Sequence, residues 1–122
     1  MREIKFRGKA LSDDHTTWLY GNLNVNDDGK AAIMRIGDFW SLQRVNPDTV
    51  GQFTGLYDAE GREIYEGDVV CIDDWSSPSY IRWDFVTASF VVDRWSMNLV
   101  HVGAIKIVGN VHDDPELLAT RT

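Results

Sequence analysis

The sequence predicts an all-β, mainly antiparallel protein with a small SH3-like barrel in its C-terminal half. Three observations carry this. Short apolar segments with a two-residue period recur along the chain. Turn signals cut them apart, most clearly Asn26-Asp27-Asp28-Gly29 and Asp58-Ala59-Glu60-Gly61. No long stretch shows the spacing of an amphipathic helix. A chain of 122 residues has room for one domain, or for a barrel-sized unit plus a smaller companion.

The first element is strict in its alternation. In Arg2-Glu3-Ile4-Lys5-Phe6-Arg7, Ile4 and Phe6 point one way and Glu3, Lys5 and Arg7 the other, as in a half-buried strand. The polar run Ser12-Asp13-Asp14-His15 is a loop. Trp18 to Val25 is a second strand, in which Gly21 marks a bulge or a close backbone approach. Asn26 to Gly29 closes a hairpin, Ala31 to Ile36 returns, and Gly37-Asp38 turns again. Phe39 to Val45 is expected as the next strand, broken by Asn46-Pro47-Asp48.

Val50 to Tyr57 alternates again and carries two glycines. After the Asp58–Gly61 turn, Arg62 to Tyr65 leads into Glu66-Gly67-Asp68 and the strand Val69-Val70-Cys71-Ile72. Asp73 to Ser79 is a loop; Tyr80 to Phe85 alternates with Ile81, Trp83 and Phe85 on one face. Ser89 to Asp93, Leu99 to Val102 and Ala104 to Val108 are the remaining strands, stopped by Gly109-Asn110. Asp114, with Pro115 behind it, starts a short C-terminal helical turn as its N-cap. Residues 1–52 form a smaller N-terminal β subdomain and residues 53–122 the barrel subdomain, its strands running from about Glu66 to Val111.

Composition narrows the setting. With 43% apolar and 25% charged residues, disorder of the whole chain is excluded. Cys71 is the single cysteine, so no internal disulfide forms; it reads as a buried, inert thiol. No apolar run approaches the ~20 residues of a membrane span, and the charged N-terminus lacks a signal-peptide core. No membrane association is expected, and a cytoplasmic location follows.

The formal net charge is −7, with four cations and one anion in residues 1–10. An acidic body disfavours nucleic acid as a partner, because phosphate attraction dominates such affinity. The basic first strand is the place where contact would occur, through Lys5, Arg7 and Lys9. Cations on a strand's solvent face are equally well explained as protection of an edge.

Candidate chemistry is sparse. His15, His101 and His112 with Asp13, Asp14, Asp113 and Asp114 supply metal-ligand types, but no pair has a zinc-type spacing. Glu60, Glu63, Glu66 and Asp68 lie close enough for two carboxylates to meet across a hairpin and divide acid and base roles. Glu66-Gly67-Asp68 is more simply a turn, with Asp68 bonding nearby backbone amides. No phosphate loop or Gly-x-Ser-x-Gly turn is present. No catalytic residue, cofactor or metal is assigned.

Aromatic content is high, with 5 Trp, 4 Tyr and 5 Phe. Trp75 lies in a loop, and Trp95 and Met97 fall near another. With Tyr80 they form a candidate interaction surface, since rigid rings gain contact area at low entropic cost. Their alternative role is to cap the ends of the barrel.

Three blocks carry a family resemblance. Met1-Arg2-Glu3-Ile4-Lys5-Phe6-Arg7 resembles the opening of the YopX-like proteins of phages and prophages. Val50-Gly51-Gln52-Phe53-Thr54-Gly55-Leu56, continuing through Asp58, Gly61 and Glu63 to Val70, and then Ile107 to Leu118, match in the expected order. Asp73 to Val102 is less typical and richer in Trp. The resemblance implies a two-part, mainly β accessory protein of a phage or integrated element, with no catalytic motif to carry over. The function expected is a non-enzymatic module that binds a protein partner or forms a homo-oligomer.

Overall fold

In the computed structural model the described residues are 3–11, 16–73, 75 and 77–119. They fall into two units, Met1–Phe53 and Thr54–Thr122. Both are built from antiparallel strands, with one short helix in the second.

In the first unit β1 (Phe6–Lys9), β2 (Trp18–Val25), β3 (Ala31–Met34) and β4 (Gln43–Val45) form consecutive antiparallel ladders. The Asn26–Gly29 turn is locked by its own side chains. Asn26 Oδ1 and Asp28 Oδ1 both accept from the Lys30 amide, at 2.9 and 3.2 Å. Gly21 is the predicted close approach: a Cβ there would stand 2.1 Å from the Met34 carbonyl oxygen. Ala31, Ile33 and Val45 form the buried core, with Phe6, Leu19, Leu23 and Val50 packed against it.

The expected strand over Phe39–Val45 is mostly a turn. Phe39–Ser41 is a 3₁₀ helix, leaving only Gln43–Val45 as β4. Local bonds explain this. Asp38 accepts from the Trp40 amide at 3.2 Å. The Ser41 hydroxyl accepts from the Arg35 amide and donates to the Asp38 carbonyl, both at 2.7 Å. Short polar side chains offer the backbone a local alternative to the ladder.

Strand β5 (Gly51–Tyr57) begins in the first unit, where Gly51 and Gln52 pair with Arg7 and Phe6. It ends in the second, where the Thr54 hydroxyl donates to the Ile64 carbonyl at 2.8 Å. There β6 (Glu63–Tyr65) leads into β7 (Asp68–Ile72), followed by β8 (Ser79–Asp84), β9 (Ser89–Val92), β10 (Trp95–Ser96) and β11 (Ile105–Asn110). Helix α1 is Glu116–Ala119. The sheet order is β10-β9-β8-β7-β11. Its core contains Ile64, Val70, Ile72, Ile81, Phe90, Val92, Met97 and Ile105.

Several expectations change here. A closed SH3-like barrel is not what the described ladders show, because β10 and β11 are the two ends of an open order. The expected strand at Leu99–Val102 is replaced by 3₁₀ turns at Met97–Leu99 and Val102–Ala104, the first capped by the Ser96 hydroxyl. Cys71 is exposed rather than buried, because it takes the outward position of β7 opposite Lys106. The C-terminal helical turn is present where expected, as α1, and the Asp114 carboxylate accepts from the Asn110 amide at 3.2 Å.

Candidate interaction surfaces

The carboxylate cluster resolves into structural roles. Asp68 is buried, and its Oδ2 accepts from the Tyr65 amide at 2.7 Å. Gly67 sits at φ +95°, a conformation that favours glycine. Its amide donates to the Ile81 carbonyl at 2.7 Å. Glu63 accepts from the Tyr65 hydroxyl at 3.0 Å, while Glu60 faces Lys106 at 3.6 Å. In these contacts Asp68, Glu63 and Glu60 each have a different partner.

Asp58, which the sequence marks only as part of a turn, has several partners. It accepts from the amides of Glu60 and Arg62 at 2.9 Å and from that of Ile107 at 3.2 Å. Arg62 pairs with it through Nε and Nη2, at 3.2 and 3.0 Å. Burial pushes its pKa up, but the amides of Arg62, Ile107 and Glu60, with the Arg62 charge, outweigh that and hold it below the ordinary 3.8. With Ala59 N–H donating to the Ile105 carbonyl and Arg62 Nη2 to that of Ile107, this turn covers the edge of β11.

The three cations of the first strand are folded into the first unit. Arg7 is buried, with its guanidinium 4.8 Å from the Trp18 ring centre. Lys9 lies 5.8 Å from the same ring, and Lys5 lies 5.2 Å from the Phe53 ring and 3.5 Å from Glu3. Cations held over rings gain electrostatic and dispersion energy in place, so this face is a packed cation–aromatic ladder.

The predicted aromatic surface is divided. Met97 is buried in the core of the second unit, and half-buried Trp75 packs against that core. Tyr80 is half-buried on β8, and Trp95 is exposed on β10. Asp13, Asp14 and His15 lie outside the described residues. Among the described residues no group of three His, Cys, Asp or Glu side chains is placed to hold a metal ion, and no helix is long and apolar enough to cross a membrane.

Among the described residues the most exposed large apolar side chains are elsewhere. Trp40 is 94% exposed, Phe85 89% and Val86 93%. Each stands on a turn fastened by side-chain hydrogen bonds. Trp40 rides the Asp38–Ser41 turn already described. Phe85 and Val86 form the β8–β9 tip, where Asp84 accepts from the Val86 amide at 3.0 Å and the Thr87 hydroxyl at 3.1 Å. The Thr87 and Ser89 hydroxyls bond at 2.8 Å, and Ala88 takes φ +51°. Alternation assigns Phe85 to a strand face, but the strand ends one residue earlier.

Beside Trp40 the first unit has an open concavity of about 450 Å³, lined by Leu19, Ile33, Arg35 and Leu42 among others. Arg35 is held at its rim by Asp38 at 2.7 Å. No single residue of this group is diagnostic in sequence; the signal is an aromatic flanked by Asp and Ser two and one positions away.

The fold and these surfaces define a two-unit antiparallel β protein whose prominent features are apolar turns. Residues 5–119 match the family described as YopX protein. The chain belongs to the YopX family. Among solved structures it is similar to protein EF1440 from Enterococcus faecalis, with a TM-score of 0.54 and 20% identity. That likeness covers 97% of this chain and 99% of the other, and it concerns the fold. No curated protein matches the sequence.

Proposed function

We propose that this protein is a non-enzymatic accessory module, encoded by a phage or prophage, that works in the host cytoplasm by protein–protein contact, including contact with itself. The observation that carries this is the near-complete exposure of Trp40, Phe85 and Val86 on constrained turns. Solvating such side chains forgoes a burial gain of roughly 1.5–3 kcal/mol each. Turns already held by hydrogen bonds also lose little backbone entropy when a partner covers them. YopX family membership supports the accessory role.

Affinity capture from lysogenic or infected cells, run beside Trp40→Ser and Phe85→Ser variants, tests the reading. Specific partners, or further copies of the chain, should be retained by the wild type and lost by at least one variant. Identical profiles for all three proteins would remove it. A genomic neighbourhood without phage genes would remove the phage assignment separately.

A further inference from the structure

We propose that the β8–β9 tip of one copy seats in the concavity of the first unit of a second copy, giving a head-to-tail contact. This rests on the protein-contact reading and names its partner. The tip is a preformed knob: the Asp84, Thr87 and Ser89 bonds fix the turn, and Phe85 and Val86 project from it. The concavity is a preformed hole. Buried Ile33 and half-buried Leu19 lie along it, and exposed Leu42 and Trp40 stand at its rim. At about 450 Å³ it falls within the roughly 300–1,000 Å³ of ligand-binding clefts, enough for an aromatic ring and a branched aliphatic side chain.

Charge selects this pairing over its alternatives. Residues 1–53 carry seven Lys and Arg against seven Asp and Glu, and residues 54–122 carry five against twelve. The second unit thus holds the entire −7 and the first is neutral. Two copies meeting through their second units would set two strongly acidic surfaces against each other, which costs affinity. Knob-in-hole contact sets an acidic unit against a neutral one. It also places Asp84, at the base of the tip, toward the rim that carries the exposed Arg35 guanidinium. Because knob and hole are different surfaces, the contact is heterologous and leaves the hole of one copy and the knob of the other unused.

The test is complementation followed by sedimentation equilibrium. The wild type should associate with rising concentration. Phe85→Ser, which lacks the knob, and Trp40→Ser, which lacks one wall of the hole, should each weaken self-association at least about 30-fold. An equimolar mixture of the two should form a one-to-one dimer and nothing larger, through the intact tip of one and the intact concavity of the other. Both residues are so exposed that neither substitution removes core packing, and a circular dichroism melt of each variant is the check. A wild type that stays monomeric to ~1 mM, variants that associate like the wild type, or a mixture that stays monomeric would each overturn the proposal. If the wild type is monomeric while Phe85→Ser still loses a captured bacterial partner, the second-copy assignment falls and the protein-contact reading stands.

Discussion

A buried carboxylate stays ionised where hydrogen-bond donors replace the water it has lost, and at Asp58 three amides and a guanidinium do so. Asp58→Asn keeps the shape but turns one acceptor into a donor facing other donors. We expect a loss of roughly 2–4 kcal/mol in urea unfolding. The pH dependence follows from the sign of the shift. The folded-state pKa lies below the ordinary 3.8, so the contribution is complete above the unfolded value and is lost as pH falls through the folded one. Thermal midpoints of wild type and variant should therefore converge as pH drops below about 4; a constant gap from pH 6 to pH 3 would contradict this role. Asp58 was legible as a turn residue, because Asp and Gly act on amides within a few positions. Its bond to Ile107 was not, since that partner is 49 positions away.

At the scale of elements, period and turn chemistry located the β2–β3 hairpin and the entry into β7, where Asn26, Asp28 and Asp68 bond amides within a few positions. They failed where local side-chain bonds overrode the period. Phe39 to Val45 has the composition of a strand, yet Asp38 and Ser41 wind its first half into a 3₁₀ turn and lift Trp40 into solvent. Phe85 continues the alternation of β8, but Asp84 ends the strand by capping the turn. Of the candidate aromatic surface Trp75, Tyr80, Trp95 and Met97, Met97 is buried, whereas Trp40, Phe85 and Val86 are nearly fully exposed. Asp84→Ala tests what that cap contributes. The turn is exposed, so stability should change by less than about 1 kcal/mol, while self-association should weaken because the knob must then be ordered on contact and the attraction of Asp84 to Arg35 is lost. Unchanged association, measured beside an unchanged melt, would show that the knob needs no preorganisation.

At the scale of the molecule, the alternation of strands reveals that sheets form but not whether they close, and the ladders of the second unit end at β10 and β11. Charge was legible in total, but the placement of the individual cations was not. Lys5, Arg7 and Lys9 form a basic stretch in sequence, but the fold spends them on Trp18, Phe53 and Glu3. What the fold adds is the division of charge between a neutral first unit and an acidic second one. Copies with net charge −7 repel at long range, and that repulsion is screened as the Debye length falls from ~30 Å at 0.01 M salt to ~3 Å at 1 M. In the proposed knob-in-hole contact the burial of Phe85 and Val86 is not screened, and only the Asp84–Arg35 attraction is weakened. Self-association measured by light scattering should therefore tighten across this salt range. Binding to a polyanion would weaken over the same range, because it is driven by counterion release. Association that loosens steadily with salt would show that attractive charge, rather than the apolar turns, holds the copies together.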